Sequence, residues 1–487
     1  MRQIKSLVQH TAIYGMGDLL GRVVSVLLVP IYARHLTPTD NGILSLAFAF
    51  IGVSAVFYSI GLNPALIRIL SGKTDLTEHR TTFSSAFWTL FILGIFLSTL
   101  LWTNAHVLAH HLLGSHTHAN FFKLIAAVVV FDTLSEPLFT LCRARQRSIH
   151  YAIVRVIQHT LQLGLTVYFI AFLNRGPIAV FEANIFSSLF ALIVMLPAGL
   201  SVIRPTFQVA PLRKLLSFGL PFVPSALAIL IINLSDRFLI RFFLGLDDLG
   251  IYGITYKLGL PIFFVVKAFR AAWAPAVLNE TNEAETRRMC ARITTYFTLI
   301  GVLGCLILAT FAHEIVVLVA GDNAETYLKG IKIVPIIALS FFLYGLYVIL
   351  TAGIYAKGRA GSLPFIVGTG AVVNIVINIT LLPKLGFIAA AYSTLAAYAL
   401  MVILLFLTVR RFYPVPYEYA RLGKVCTSGI IVFIALSAYL HDTTAEGVVA
   451  RIIFISSYPL LLWGWQFFHP HEWQNLRQAF RPTDTSP

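Results

Sequence analysis

The chain of 487 residues is 58% hydrophobic and only 12% charged, with a mean hydropathy of +0.82, about half the charged share of a soluble domain. A surface so poor in charge cannot be kept wet. That excludes a string of soluble domains, and apolar stretches near the ~20 residues that span a bilayer recur along the whole chain. The net charge of +15 does not indicate nucleic acid, because the Lys and Arg residues fall in short loops between the apolar runs, as they do in membrane proteins.

In chain order the apolar runs predict spans near 11–34, 41–62, 84–105, 120–141, 151–173 and 178–201. A second set follows near 217–243, 250–270, 293–320, 331–353, 362–383 and 386–409, and two more near 423–440 and 447–467. All are expected to be helices, since lipid offers no partner to backbone polar groups and the runs are too long and too evenly apolar for barrel strands. The first run carries Asp18 and Arg22 and lacks a small-residue cleavage site, so it reads as a retained helix. Cys142, Cys290, Cys305 and Cys426 are scattered, with no metal-ligand spacing.

Charge tests the count. With the N-terminus in the cytoplasm, only Arg34, Arg175, Arg241, Lys329, Lys332, Lys384 and Arg451 fall in outer loops. Arg22, Lys123, Arg155, Arg237 and Lys257 lie inside spans, and the rest of the 36 Lys and Arg residues face the cytoplasm. A missed span would scramble this asymmetry downstream of the error.

Three segments repeat in register. Leu36-Thr-Pro-Thr-Asp40-Asn-Gly42-Ile43 matches Leu244-Gly-Leu-Asp-Asp248-Leu-Gly250-Ile251, Arg145-Gln-Arg147 matches Lys357-Gly-Arg359, and Gly176-Pro-Ile178-Ala179 matches Gly386-Phe-Ile388-Ala389. Six spans per repeat is an even number, so the halves share an orientation about an axis along the membrane normal. The reading is an all-α polytopic protein of about 14 transmembrane helices. Residues 1–203 form one six-helix bundle, 204–214 a cytoplasmic connector, 215–412 a second bundle, and 413–487 two extra helices and a tail.

Tyr14-Gly-Met-Gly-Asp-Leu-Leu-Gly-Arg22 and the run from Pro30 to Gly42 resemble the opening of bacterial polysaccharide flippases. So do Ala356-Lys-Gly-Arg359, Asn374-Ile-Val-Ile-Asn378 and the run from Leu382 to Thr394. These flippases belong to the superfamily that also holds the lipid II flippase and the MATE drug exporters, and the resemblance covers the first twelve helices. It implies two bundles around a central cavity, alternating access, and an undecaprenyl-pyrophosphate-linked oligosaccharide as cargo. A bacterial inner membrane and a polysaccharide polymerase or export machinery as partner follow from it.

Charges inside spans are costly and mark pathways or pairs. Asp18 and Arg22 lie four apart on one helix face. They form either a structural pair or a site where Arg22, able to donate bidentately to phosphate, meets the pyrophosphate. Lys257 and Arg237 are further cavity candidates, whereas Arg155 and Lys123 read as interfacial anchors. Asp132 and Glu136, adjacent carboxylates on one helix, must share a proton or find a cation. Proton coupling and a salt bridge to Arg22 are the two readings. Asp236, Asn374, Asn378 and Thr394 resemble a sodium site of the lipid II flippase branch; interhelical hydrogen bonding, or an Arg partner for Asp236, is the alternative. His106, His110, His111, His116 and His118 read as a solvated loop, and Pro221 and Pro224 as a kink in the seventh span. No enzyme cofactor is expected, and the coupling ion is a sodium ion or a proton.

A lipid II or drug exporter of the same fold is the alternative within transport, although a cavity for cationic drugs would favour acidic groups. A membrane glycosyltransferase or polymerase would need catalytic carboxylates in a large outer loop, and the loops near 106–119 and 313–330 are short. Both termini are expected in the cytoplasm. Single cysteines at His116 and Arg481, in a cysteine-free background, should therefore react oppositely with an impermeant thiol reagent in intact cells. Labelling of the second site from outside would overturn the count.

Overall fold

The computed structural model describes Gly21, residues 23–70, 76–279, 282–437, Tyr439 and residues 444–468. The described residues are helical throughout their regular structure. In the first half these are α1 (Val23–His35), α2 (Pro38–Ser59), α3 (Leu76–Thr103), α4 (Ala119–Ala144), α5 (Ser148–Val167) and α6 (Ile178–Leu200). The second half holds α7 (Phe222–Phe243), α8 (Leu246–Leu258), α9 (Pro261–Asn279), α10 (Glu283–Thr310), α11 (Ile333–Ala356), α12 (Leu363–Leu385) and α13 (Ile388–Val409). The pair α14 (Tyr419–Ser437) and α15 (Ala445–Gly464) follows.

Among the described residues eleven helices are long and apolar enough to cross a membrane, and twelve if α8 and α9, bent by 52°, make one span. The two further spans expected near 11–34 and 217–243 correspond to α1 and α7, neither of which is among these, and residues 11–20 lie outside the described residues. The connector is more than a loop: a helix at Val209–Gly219 occupies it. It packs on Leu62–Leu70 and on α3. The expected kink in the seventh span is a turn at Leu220–Pro221, between that helix and α7.

The start of α2 shows how sequence sets an element. Thr37 caps it, its Oγ1 accepting the Asp40 amide at 3.1 Å while Asp40 Oδ2 accepts the Thr37 amide at 3.1 Å. This reciprocal capping box, with Pro38 in the first turn, fixes where the helix begins.

The two halves meet most closely along α2, α7 and α8. A Cβ placed on Gly42 would lie 2.0 Å from the Leu246 carbonyl oxygen, and one on Gly250 would lie 1.9 Å from that of Pro38. Gly42 and Gly250 stand 208 positions apart, as do Pro38 and Leu246. The two contacts are therefore one contact made twice by the repeat. Thr39 donates to Asp247, a residue at the same separation, between them. Around this seam Arg34 donates to the carbonyls of Val319 (3.1 Å) and Leu318 (2.5 Å). Asn41 donates to the Tyr327 hydroxyl at 2.9 Å, and Arg241 to the Leu112 carbonyl at 2.9 Å. All lie at the end that charge assigns to the outside. At the opposite end α2 approaches the second half where Gly61 meets Gly219, each leaving no room for a Cβ on the other.

The last two helices dock on α10 through an apolar cluster that includes Leu306, Val432 and Tyr458. Arg451, expected in an outer loop, is fully buried there. It donates to the Thr310 carbonyl at 3.0 Å and pairs with Glu314.

Because no larger residue fits the seam, Gly42→Val and Gly250→Val should each destabilise the protein by about 1–3 kcal/mol through overpacking. Gly164→Ala, where a Cβ meets nothing within 4 Å, should be neutral or slightly stabilising. Thermal melting in detergent separates them; equal melting of all three would show that the seam tolerates a side chain.

Candidate functional site

Polar groups inside the second half gather where α7, α8, α12 and α13 adjoin. Asp236 is fully buried on α7. Its Oδ1 accepts the Arg237 amide at 2.9 Å and the Arg237 Nη1 at 2.5 Å, and its Oδ2 accepts the Tyr252 hydroxyl from α8. Arg237 also donates to the Asn233 carbonyl and lies 4.2 Å from the centre of the Tyr256 ring. Arg237 is thus 9% exposed and its guanidinium is satisfied on several sides, the condition under which a membrane-buried ion pair is tolerable.

Behind this pair a hydrogen-bonded chain runs across three helices. Ser235 donates to Asn374 Oδ1 at 3.0 Å, Asn374 donates to the Ser393 hydroxyl at 3.2 Å, and Asn378 Nδ2 donates to the Asn374 carbonyl at 3.0 Å. Thr394 is buried and donates to the Ala390 carbonyl at 3.0 Å. Asn378 Oδ1 is buried and accepts nothing. The helices that the sequence expected to adjoin do so. An orphaned carbonyl oxygen is the kind of hard ligand a small alkali cation takes, but both oxygens of Asp236 are engaged by Arg237 and Tyr252. Asn378 Oδ1 is therefore open to a cation as it stands, whereas Asn374 Oδ1 already accepts from Ser235, and Asp236 fits only once Arg237 releases it.

The half-buried Lys257 differs from Arg237. Its Nζ lies 5.0 Å from the centre of the Tyr32 ring on α1, across the boundary between halves. No carboxylate pairs with it among the described residues. It is also seven residues beyond Gly250 on the same helix, so it sits about 10 Å from the seam, towards the middle of the membrane. On α9, Lys267 lies 5.1 Å from the Phe263 ring centre and Arg270 donates to the Tyr344 hydroxyl at 3.0 Å. Sequence reading assigned both to the cytoplasmic side. Their spacing of three and four residues from one another and from Phe263 was the available signal that they share a face.

In the first half Glu136 found its cations. It accepts Arg143 at 2.9 Å and Arg155 at 2.5 Å, and Asp132 accepts the Ser188 hydroxyl at 2.6 Å. Arg155, expected to anchor at the interface, instead turns inward, with its guanidinium 3.7 Å from the centre of the Phe139 ring. Asp18 and Arg22 lie outside the described residues; the neighbouring Gly21 backs against the His159 ring of α5. His106, His110, His111 and His116 are exposed, and His110 stacks on His116 with ring centres 4.4 Å apart.

Residues 31–329, well over half the chain, match the family described as polysaccharide biosynthesis protein. The chain belongs to that family. Among its relatives is the protein named "Probable low-salt glycan biosynthesis flippase Agl15" of Haloferax volcanii, 21% identical over 86% of both chains. Its fold is similar to that of the lipid II flippase MurJ in an inward closed conformation, with a TM-score of 0.73, 12% identity and coverage of 94% of this chain and 100% of that one. It is also similar to an inward-facing multidrug resistance MATE family transporter of the MOP superfamily, with a TM-score of 0.67, 14% identity and coverage of 85% and 96%. The chain is thus a polytopic α-helical membrane protein of the fold shared by these transporters.

Removing one member of the buried ion pair strands the other. Asp236→Leu and Arg237→Met should each cost about 3–5 kcal/mol, and the double change should recover most of that loss. Melting of the three variants in detergent measures it. A double variant as unstable as the sum of the singles would mean that the two side chains do not act as a pair.

Proposed function

We propose that the chain carries a lipid-linked oligosaccharide from the cytoplasmic to the outer leaflet of a bacterial inner membrane by alternating access, with no covalent chemistry. The observation that carries this reading is Lys257, a cation inside a span with no carboxylate partner among the described residues, at the boundary between halves and beneath the glycine seam. An isolated ammonium there is costly unless an anion meets it. In an undecaprenyl-pyrophosphate-linked glycan the pyrophosphate is that anion, and Arg22, with Asp18 beside it, would share the task. Arg237 would join only when released from Asp236. The name of the Haloferax relative supports a glycan cargo. The absence of an unpaired carboxylate beside Lys257 among the described residues disfavours cationic drugs. Lipid II is the alternative cargo with the same head chemistry.

In this reading the repeats at 1–203 and 215–412 rock about a pseudo-twofold axis, linked through 204–214, while 413–487 stays docked on one side. Both termini lie in the cytoplasm, and a polymerase or export assembly takes the cargo outside. Asp236 is the first candidate for coupling, since either a proton or a sodium ion that engages it would loosen Arg237; Asp132 and Glu136 are the second.

Proteoliposomes loaded with a lipid-linked oligosaccharide test the reading. Lys257→Ala should reduce translocation at least tenfold at normal protein levels, and Lys257→Arg should keep a substantial part, because the charge remains. Wild-type rates in Lys257→Ala would remove this residue from the cargo path. Imposed sodium and proton gradients, compared between wild type and Asp236→Asn, assign the coupling ion. Unaltered ion dependence in the variant would move coupling to Asp132 and Glu136.

A further inference from the structure

The loop after α4 reads Arg145-Gln-Arg147, and its counterpart after α11 reads Lys357-Gly-Arg359. Both fold into the same turn. Gln146 and Gly358 take left-handed φ values of 57° and 64°. The next amide then closes the preceding helix, Arg147 donating to the Cys142 carbonyl at 2.9 Å and Arg359 to that of Ile354 at 3.0 Å.

Their surroundings differ. In the second half Lys357 pairs with Glu283 at 2.9 Å, and Arg359 lies 4.5 Å from the centre of the Phe412 ring. Both charges are met inside the chain. In the first half Arg145 and Arg147 are exposed, and neither makes an ion pair among the described residues. Arg145 reaches only a hydroxyl, that of Ser201, at 3.5 Å. Burial lowers the Arg145 guanidinium from its ordinary value, and the like charges of Arg147 and Arg80 push it the same way. Arg145, Arg147 and Arg80 are therefore close enough to repel one another, and neither Arg145 nor Arg147 meets a carboxylate among the described residues.

Beside them opens a cleft of about 530 Å³ lined by Gln146, Arg147, Ser148, Ile149, His150 and Ile153. Its far wall is apolar. Ile149, Ile153 and Ile157 are 66%, 52% and 44% exposed. Spaced four apart on α5, they form one stripe running from the loop along the outward face of the helix. The helix starts at this cleft with Arg147 as its N-cap and no side-chain cap bond. A cation there opposes the helix dipole, and an anion would relieve it.

We infer that this cleft binds the phosphate head of an anionic phospholipid from the cytoplasmic leaflet, with an acyl chain laid along Ile149, Ile153 and Ile157. The match is in kind as well as charge, since a cationic mouth above an apolar lipid-facing stripe has the profile of a lipid and not of a free ion. Guanidinium forks suit phosphate oxygens, and the cytoplasmic leaflet is where anionic lipids attract such residues. The site lies apart from Lys257 and does not depend on what the protein transports.

Native mass spectrometry of the purified full chain, titrated separately with phosphatidylglycerol, phosphatidylcholine and inorganic phosphate, tests the site. Phosphatidylglycerol should form adducts at concentrations where phosphatidylcholine forms few. The double change Arg145→Gln with Arg147→Gln should cut them at least about fivefold, and Arg147→Lys alone should keep a part. Both residues are exposed, so the double variant should melt like wild type, which a melting curve checks. Ile153→Asp should weaken phosphatidylglycerol binding without creating or removing phosphate binding. Equal occupancy in wild type and the arginine double variant, or equal binding of the two lipids, overturns the site. Displacement of phosphatidylglycerol by millimolar inorganic phosphate, or an undiminished lipid adduct in Ile153→Asp, overturns the assignment to a lipid.

Discussion

The arrangement of the two halves depends on backbone meeting backbone at Gly42 and Gly250. Lipid removes the hydrophobic force that would press two helices together in water, so helices in a membrane associate through close packing and polar contacts. Close packing needs residues without side chains at the crossing. Here the repeat supplies one glycine from each half, and each faces a carbonyl of the other. Once α2 and α8 are this close, Arg34, Asn41 and Arg241 come within reach of carbonyl and hydroxyl oxygens across the boundary. These donors tie the two halves together at this end. At the other end Gly61 and Gly219 make the close approach, and Lys214 of the connector helix pairs with Glu78 at 3.6 Å.

Most charge inside the membrane is met by opposite charge among the described residues. Asp236 is met by Arg237, Glu136 by Arg143 and Arg155, and Glu314 by Arg451. Each pair is local to one half or one docking surface, so each can survive a motion of the halves relative to each other. Lys257 differs because its partner is an aromatic ring of the opposite half. A cation held this way changes its surroundings whenever the halves separate. Asp236 lies one helix away and shares its ligands among Arg237 and Tyr252. An ion that engaged it would alter the charge presented near Lys257.

The asymmetry between the two halves is as informative as their likeness. The same turn follows the fourth helix of each, but Glu283 and Phe412 neutralise or cover it in one half only. Evenly repeated backbone with unevenly satisfied charge separates what the fold needs from what a ligand could use. The C-terminal pair shows the opposite case. Arg451 and Arg421 both turn inward at the docking surface with α10, so basic residues that look like loop charges there act as fasteners.

Most of the long helices and their order were legible in the sequence, whereas the helix at Val209–Gly219 and the break between α8 and α9 were not. Apolar length, the absence of water for backbone groups and the bias of Lys and Arg define the spans, and these are local properties that a linear pattern carries. The repeat was also legible, because Gly42 and Gly250, and Asp40 and Asp248, recur in register. Partner choice was not. Asp236 had several conceivable cations, and whether its neighbour Arg237 turns back onto it or reaches for water depends on Tyr252 and Tyr256 from another helix. Arg155 could anchor at an interface or turn inward, and the position of Glu136 one helix away decided it. That Gly42 faces Leu246, or that Lys257 meets the Tyr32 ring, follows from how helices some two hundred residues apart cross in space. Sequence spacing sets the face a side chain points to, and only packing decides what stands opposite.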